Sequence, residues 1–322
     1  MIRALFSIGT NSTRLLVLDG DERIAGESRG TRIGTGLGDT GTLDPAACAR
    51  TLAAIDEYVE ISRRCNATVA DAIATSVLRR ARDGDQFAAD VAERVGVAPR
   101  VLTGVEEATY SFLGATAARD GRDAVAVLDV GGGSAELAID VPAHARANGS
   151  VRRTSSLEIG AVRLSERHPA LLGARALEPD ERGAVEREAR ADAATVLARF
   201  GTERGFTELI AVGGTVFTAA AMIAGGVRDG AAMSHADRHL LIGELLRRNL
   251  EARKAMPHIR PQRADILPAG LIVVDEACKL LDVDAFTVSE ADLLAGYLTS
   301  PAFRASPFPP EHGARARIGT LG

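Results

Sequence analysis

The stretch that decides the fold runs from Val125 to Ile139 and reads Val-Ala-Val-Leu-Asp-Val-Gly-Gly-Gly-Ser-Ala-Glu-Leu-Ala-Ile. An apolar run typical of a β-strand leads to Asp129, and a second, alternating run follows Ser134 and carries Glu136. Three consecutive glycines between these runs let backbone N–H groups approach an anion closely. A hairpin without a ligand is the alternative, but such a turn needs one or two flexible residues rather than three beside two acids. The pattern therefore predicts a strand, a phosphate-binding turn and a strand.

The same pattern occurs a second time near the N-terminus, where Ser7 to Val17 aligns with Asp129 to Ile139 at a constant offset. Apolar, glycine and serine positions match, so Gly9, Thr10, Asn11 and Ser12 form a candidate second turn. One mismatch stands out, because the first copy has Ser7 where the second has Asp129. Each copy is followed by helical sequence, which predicts two α/β domains that face each other across a cleft.

Length and composition limit the class of protein. The chain has 322 residues, enough for two domains with separate cores, and its 46% apolar and 25% charged content is typical of a folded protein. We expect domains at residues 1–119 and 120–300 and a flexible tail at 301–322, since the tail has prolines and arginines without periodicity. A net charge of −5 argues against a duplex nucleic acid as partner.

The cysteines and the lengths of the apolar runs indicate the cellular compartment of the protein. Three scattered cysteines lack metal-ligand spacing and cannot all pair, which favours a reducing compartment. The sequence shows neither a signal-peptide pattern nor an uninterrupted apolar run of about 20 residues. We therefore expect a cytoplasmic protein with no membrane partner.

Several polar side chains lie at predicted strand ends, where open α/β sheets bind ligands. Arg79 follows the strand at Asp71–Thr75, and Arg32 lies in a glycine-rich loop. Glu106 and Glu107 begin a helix, and because neighbouring helical positions differ by about 100°, at most one of them can face the cleft. A glutamate there also simply favours the helix dipole.

A further glycine turn, Gly213-Gly214-Thr215, follows the strand at Leu209–Val212. It is suited to hold a phosphate or a nucleotide base, and equally suited to close packing of a helix on a strand. The sequence leaves both interpretations open.

Together these motifs resemble the exopolyphosphatase and guanosine pentaphosphate phosphohydrolase (Ppx/GppA) family, within the actin, Hsp70 and sugar kinase superfold. The resemblance covers roughly residues 4 to 299, and its motifs follow in the family's order. They are Gly9-Thr10-Asn11-Ser12, Thr31-Arg32-Ile33-Gly34, Ala74-Thr75-Ser76 with Arg79, Gly104-Val105-Glu106-Glu107-Ala108, Asp129 to Leu137, Ser156 to Leu164, Gly213-Gly214-Thr215 and Arg263-Ala264-Asp265.

The resemblance implies an α/β fold with two ribonuclease-H-like domains around an interdomain cleft, in the short two-domain form. It implies that Glu107 is the general base, that Arg79 contacts phosphate and that Asp129 and Glu136 hold Mg²⁺, or Mn²⁺ in its place. Homodimers are common in the family, although no apolar stripe in this sequence identifies an interface. The turns and the resemblance together predict these phosphate-binding residues: Gly9, Thr10, Asn11, Ser12, Arg32, Gly131, Gly132, Gly133, Ser134, Gly213, Gly214 and Thr215.

The expected function is a metal-dependent phosphoanhydride hydrolase that releases terminal orthophosphate from inorganic polyphosphate, guanosine pentaphosphate or both. The alternative is a catalytically weakened homologue that binds polyphosphate or alarmone nucleotides as a regulator. Ser7 favours this alternative, because the family has aspartate there and serine brings no negative charge to a metal. A kinase of the same superfold is a third possibility, since Gly213-Gly214-Thr215 is suited to seat an adenosine.

Overall fold

The structure is a computed structural model that describes residues 1–119, 124–140, 151–202, 205–226 and 229–309. Its strands are β1 (Ile2–Ile8), β2 (Thr13–Asp19), β3 (Glu22–Arg29), β4 (Val69–Ala74), β5 (Arg100–Val101), β6 (Val125–Val130), β7 (Ala135–Asp140), β8 (Val151–Leu157), β9 (Glu208–Val212), β10 (Ala232–Ser234), β11 (Ala285–Val288) and β12 (Ser306–Pro307).

The helices are α1 (Leu37–Thr40), α2 (Pro45–Arg64), α3 (Ser76–Arg80), α4 (Gly84–Val95), α5 (Gly104–Thr116), α6 (Ala161–Arg167), α7 (Pro179–Leu197), α8 (Gly214–Ala224), α9 (His235–Leu246), α10 (Leu250–Lys254), α11 (Leu267–Leu281) and α12 (Leu293–Thr299). No helix in the described ranges combines the length and the apolar character that a membrane span requires.

The two sheets repeat one strand order. In the first, β3, β2, β1 and β4 are neighbours in that order, with β5 beside β4. In the second, the order is β8, β7, β6, β9 and β11. Each sheet has three antiparallel strands followed by two that run parallel to the first strand. This shared topology confirms the predicted α/β fold with two ribonuclease-H-like domains.

Helix α2 illustrates why the sequence forms the scaffold of the first domain. The Asp44 side chain caps the helix by accepting a hydrogen bond from the Ala47 N–H at 2.7 Å, and Pro45 occupies the first turn. Ile55 and Val59 are buried in the core on the first sheet. A capped amphipathic helix thus covers one face of that sheet.

Helices α5 and α12 each pack on the sheet formed by the other half of the chain. Helix α5 follows β5 of the first sheet but buries Ala108 and Phe112 in the core of the second. Helix α12 follows the second sheet but buries Leu294 and Leu298 in a cluster on the first. By packing, α5 therefore belongs to the second domain and α12 to the first, a pairing between distant segments that local periodicity does not reveal. Residues 120–123 lie outside the described residues.

Residues 301–309 are not the flexible tail that the sequence predicts. Strand β12 pairs antiparallel with β4, and Arg304 forms an ion pair with the fully buried carboxylate of Asp71. The Tyr297 hydroxyl also donates to Asp71, at 2.9 Å. A buried carboxylate is costly without such partners, so this contact fixes the segment on the first domain. The remainder of the predicted tail, residues 310–322, lies outside the described residues.

Candidate active site

The two predicted turns have the same backbone geometry. In the first, the Gly9 N–H donates to the Ser12 carbonyl at 3.0 Å; in the second, the Gly131 N–H donates to the Ser134 carbonyl, also at 3.0 Å. The sequence repeat is therefore a structural repeat. We call residues 9–12 the first turn and residues 131–134 the second turn.

The turns contact each other across the cleft between the domains. A Cβ atom placed on Gly132 would lie 3.1 Å from the Asn11 Cβ, and one on Gly133 would lie 2.5 Å from the Thr10 Oγ1. Glycine is needed at Gly133 because a side chain there would overlap the opposite turn. The structure therefore brings the two predicted phosphate-binding turns to one place.

The free hydrogen-bonding groups of the turns suit an anion. Carbonyl oxygens of both turns accept hydrogen bonds from the segments that follow, at Arg32, Gly34, Ala161 and Val162. Among the hydrogen bonds of the described residues, the N–H groups of Thr10, Asn11, Gly132 and Gly133 donate none. The buried Asn11 Oδ1 and Ser76 Oγ also lack a partner in this part of the chain. Unpartnered N–H groups of this kind are typical of anion sites.

A row of polar side chains crosses the second sheet beside these turns. Asp129 and Glu136 are directly opposite each other on β6 and β7, and Glu136 is opposite Ser156 on β8. Opposite residues of an antiparallel pair point to the same face. The Ser156 hydroxyl donates to Glu136 Oε1 at 2.7 Å, which fixes that carboxylate.

Helix α5 covers the row and selects one of the two adjacent glutamates. Thr103 and Glu106 form a capping box, and Arg100 also pairs with Glu106, so this carboxylate is engaged at the helix start. Glu107 points to the cleft, with its side chain 5% exposed. One turn further, the Ser111 hydroxyl donates to Asp129 Oδ2 at 2.7 Å. The prediction that only one glutamate faces the cleft is confirmed, and that residue is Glu107.

Arg79 joins the first domain to this carboxylate cluster. It lies in α3, just beyond the carboxyl end of β4, as the sequence predicts. Its Nη1 donates to Glu107 Oε1 and to the Leu102 carbonyl, both at 2.6 Å. Arg79 thus orients Glu107 and places a positive charge at the cleft.

The carboxyl groups of the cluster repel one another. Burial raises the pKa of Glu107 to about 7, against the opposing effect of Arg79. Burial and the charge of Asp292 raise the pKa of Asp129 to about 6. Burial, followed by the charges of Glu107 and Asp129, raises the pKa of Glu136 well above its usual value. A cation beside these groups would relieve the repulsion.

Asp129 and Glu136 are two adjacent carboxylates that would have to share a magnesium ion with a substrate. In the described part of the chain, no group of three or more histidine, cysteine, aspartate or glutamate side chains is arranged to hold a metal. Mg²⁺ prefers oxygen ligands and is usually bound through one or two carboxylates together with substrate phosphates. Two adjacent carboxylates with raised pKa values meet that requirement.

Arg32 is placed differently from the prediction that it binds phosphate. Its guanidinium forms a two-pronged ion pair with Asp265, with contacts of 2.7 and 2.8 Å, and donates to the Gln262 carbonyl at 3.2 Å. Because Asp265 precedes α11 of the second domain, these contacts link the two domains. The planar fork of arginine matches a carboxylate as well as it matches a phosphate, and Asp265 occupies it.

The third glycine turn supplies close packing at two of its three positions. A Cβ on Gly214 would lie 2.1 Å from the guanidinium carbon of Arg263. Thr215 is buried, with its Oγ1 2.6 Å from where a Cβ on Gly270 of α11 would lie. Gly213 lies at the carboxylate row, since a Cβ there would approach Asp129 Oδ1 to 2.7 Å. Like the Arg32 guanidinium, the Thr215 side chain is a predicted group that packs elsewhere.

Arg263 is a site residue to which sequence reasoning gave no role. Its Nη2 donates to Ser12 Oγ in the first turn at 3.1 Å, and burial lowers its pKa to about 10. Ser111 was also missed, although its spacing of four residues from Glu107 is a signal that a helical projection provides. Ser76 was noted only within a motif, and its unpartnered hydroxyl has no sequence signature.

A cavity of about 1100 Å³ opens between the domains beside this cluster. Gly213, Gly214 and Arg263 line it, whereas Glu107, Asp129, Glu136 and the residues of the two turns do not. Its other basic residues are Arg14, Arg23 and Arg260. Five acidic residues also line the cavity, so its wall has no excess of positive charge: Asp21, Glu27, Asp229, Glu290 and Asp292.

Repeated α/β domains with facing turns define a two-domain protein of the actin-like superfold class. The model of the Ppx/GppA phosphatase family matches residues 19–303. The chain belongs to the Ppx/GppA family.

Two curated relatives and one solved structure illustrate this membership. Exopolyphosphatase 2 of Mycobacterium tuberculosis is 32% identical over 327 residues, which cover 93% of this chain and 98% of that protein. The guanosine-5'-triphosphate,3'-diphosphate pyrophosphatase of Vibrio atlanticus is 26% identical over 299 residues, which cover 91% of this chain and 58% of that protein. The crystal structure of an exopolyphosphatase-like protein is 27% identical, with a TM-score of 0.84 over 94% of this chain and 99% of that one.

Proposed function

We propose that this protein is a metal-dependent phosphoanhydride hydrolase that releases terminal orthophosphate from inorganic polyphosphate or guanosine pentaphosphate. The observation that carries the proposal is the position of Glu107, which is buried, bound to Arg79 and close enough to Asp129 and Glu136 for their charges to interact. Family membership and the names of the two relatives support this substrate class.

The chemistry needs a group that takes a proton from the attacking water. Glu107 has a pKa of about 7, so a substantial fraction is deprotonated at neutral pH while the carboxylate remains basic enough to accept a proton. Arg79 keeps Glu107 in position through the 2.6 Å hydrogen bond. These two residues therefore act as the general base and the residue that orients it.

Charge on the phosphate oxygens is met by groups from both domains. The free N–H groups of the turns are donors for those oxygens, and Arg263 stands beside Ser12 with no carboxylate in an ion pair within the described ranges. Preorganised donors of this kind stabilise a phosphoryl-transfer transition state.

Asp129 and Glu136 would hold the metal ion, with Mg²⁺ as the expected species and Mn²⁺ as a substitute. A bound Mg²⁺ supplies neutralising charge to phosphate oxygens. Ser111 and Ser156 orient the two carboxylates through their 2.7 Å hydrogen bonds. The first domain adds no carboxylate at the equivalent position, because Ser7 stands there.

Ser7 also favours a second candidate function, a weakened homologue that binds polyphosphate or alarmone nucleotides as a regulator. The cavity of about 1100 Å³ beside Gly213 and Gly214 has room for a nucleoside. A binding protein would need the turns and arginines but not Glu107. Activity therefore separates the two functions.

The test is a phosphate-release assay with polyphosphates of several lengths and with guanosine pentaphosphate, with and without Mg²⁺. Turnover of at least one substrate that requires the metal supports the hydrolase. Tight binding of both substrate classes without release in any condition supports the regulator and contradicts the hydrolase. Comparing chain lengths with the nucleotide identifies the preferred substrate, since both present the same terminal anhydride.

A further inference from the structure

A second arginine–carboxylate group lies beside the Arg79–Glu107 pair. Glu158 follows β8, with its side chain 48% exposed, and forms an ion pair with Arg163 of the second domain. It also lies 3.5 Å from the Nε of Arg80 in the first domain. Glu158 therefore joins the two domains through two arginines, and we call these three residues the bridge.

The bridge is placed next to the phosphate-binding turns. The Arg163 N–H donates to the Gly132 carbonyl of the second turn at 3.3 Å. Arg80 is the residue after Arg79 in α3, the helix whose first residue, Ser76, lies 3.1 Å from where a Cβ on Gly133 would be. Both arginines are thus on elements that contact the second turn.

The balance of charge in the bridge leaves a surplus for an anion. Two guanidinium groups share one exposed carboxylate, and the buried Arg163 Nε has no hydrogen-bond partner among the described residues. Burial lowers the pKa of Arg163, and the nearby charge of Arg80 acts in the same direction. One half-exposed carboxylate holds the two positively charged guanidinium groups together. A phosphate group carries more negative charge and can compete with that carboxylate for the two arginines.

Arg79 and Arg80 form parallel pairs with different accessibility. The Arg79 partner, Glu107, is 5% exposed, whereas the Arg80 partner, Glu158, is 48% exposed. A buried partner is held in place by its surroundings, while an exposed ion pair contributes little and exchanges easily. Glu158 is therefore the displaceable carboxylate of the two.

We propose that Glu158 occupies the place of a phosphate group between Arg80 and Arg163, and that an inner phosphate of an extended chain displaces it. The ligand class is a linear phosphoanhydride of at least three phosphates, whose terminal group is at the turns while a later one reaches the bridge. The proposal rests on the proposed function for the position of the terminal phosphate. Glu158 thereby selects for chain length, because orthophosphate reaches the turns but not the bridge.

The experiment measures binding of inorganic tripolyphosphate and of orthophosphate by calorimetry in a Glu107→Gln background, where turnover does not interfere. Arg163→Ala and Arg80→Ala should each weaken tripolyphosphate binding by about tenfold, as expected for loss of a charge-assisted contact. Glu158→Gln should tighten it by about threefold, because the arginines lose their competitor. Orthophosphate affinity should change by less than about twofold in all three.

A double variant and a distant pair complete the design. The gain from Glu158→Gln should disappear when Arg163→Ala is also present, since the gain acts through that arginine. Arg175 and Glu181 form an exposed ion pair elsewhere on the second domain, so Glu181→Gln is the matched control and should leave both affinities unchanged.

Weaker or unaltered tripolyphosphate binding in Glu158→Gln would overturn the proposal, as would equal effects on orthophosphate. Failure of the proposed function is read separately, because it would appear as absent phosphate release by the wild-type chain. The binding pattern of the bridge variants does not depend on that release.

Discussion

The hairpins that begin the two domains have the same geometry but carry different charges. In the second domain, Ser156, Glu136, Asp129 and Val212 form a row of neighbouring positions across β8, β7, β6 and β9. In the first domain, the equivalent row across β3, β2, β1 and β4 is Ser28, Arg14, Ser7 and Ile73. Both rows have a serine at one end and an apolar residue at the other. Between them, the first row has Arg14 and Ser7 where the second row has its two acids.

The helix that covers each row completes the contrast. Over the first row, Asp292 at the start of α12 pairs with Arg14 at 2.6 Å, so the charges there balance. Over the second row, α5 brings Glu107, a third carboxylate, with Arg79 as its partner. Of the two rows, only the second therefore has an excess of negative charge. The two copies of the scaffold therefore differ in charge: the second has three carboxylates with one arginine, and the first has one arginine paired with one carboxylate.

Removal of the general base should give the largest effect. It tests whether the carboxylate cluster of the second domain carries the catalytic activity. We expect Glu107→Gln to lower phosphate release by about a thousandfold, in the range for loss of a positioned proton acceptor, with substrate binding largely kept. The measurement is steady-state release of phosphate from long-chain polyphosphate. Glu106→Gln is the matched control, since Glu106 caps α5 and points elsewhere. Equal activity of Glu107→Gln and wild type would remove Glu107 from the mechanism.

Neutralising the acidic row tests whether the second hairpin is the cation side. Asp129→Asn should lower the turnover by about a hundredfold and raise the Mg²⁺ concentration needed, because one of two carboxylate ligands is lost. Ser7→Ala, at the equivalent position of the other row, should change turnover by less than about twofold on the same reasoning. A Mg²⁺ titration of activity in both variants makes the comparison. The reverse ranking of the two variants would place the cation on the first domain.

The raised pKa values predict how activity depends on pH. Because Glu107 must be deprotonated to accept a proton, activity should fall as the pH decreases below the pKa of this carboxyl, which burial raises to about 7 in the metal-free protein. The check is a pH profile of kcat/KM for phosphate release. A profile that stays flat down to pH 5 would show that no group of raised pKa acts as the base.

The free energy of unfolding should fall as the pH rises, whereas activity should rise. The folded state holds protons on Glu107 and Asp129 more tightly than the unfolded state, since both pKa values are raised above their usual 4.5 and 3.8. The free energy of unfolding of the metal-free protein should therefore fall, through these groups, as the pH rises from about 4 to about 7. Urea unfolding at several pH values measures this, and Glu107→Gln should reduce the slope. An unaltered slope in that variant would argue against the raised pKa.

Restoring an acid to the first row should give the smallest effect and would sharpen the contrast. Ser7→Asp places a carboxylate opposite Arg14, whose charge interacts with Asp129, and we expect it to lower the Mg²⁺ concentration for half-maximal activity by about threefold. The effect is modest because Arg14 and Asp292 remain nearby. Unchanged Mg²⁺ dependence would mean that the ion does not reach the first domain.

Local patterns and the repeat predicted the features that lie within one continuous stretch. The two turns, the cap of α2 and the α/β class follow from residues close together in sequence, and the structure confirms them. The choice of Glu107 over Glu106 came from the family resemblance, and the capping box explains it physically.

Contacts between distant segments could not be predicted in the same way. The pairing of Arg32 with Asp265 depends on how the domains meet, and the Arg304–Asp71 ion pair holds a strand of only two residues that has no periodicity to recognise. The exchange of α5 and α12 depends on close backbone contact between Gly114 and Gly296, where a Cβ on Gly296 would lie 1.9 Å from the Tyr110 carbonyl oxygen.

The most direct test of the charge contrast is a titration of Mn²⁺ into the protein, followed by the electron paramagnetic resonance signal of the free ion. Our account predicts that wild type and Ser7→Ala bind one Mn²⁺ with similar affinity and that Asp129→Asn combined with Glu136→Gln abolishes this binding. Retention of the ion by the double variant, or its loss in Ser7→Ala, would contradict the assignment of the cation to the second domain.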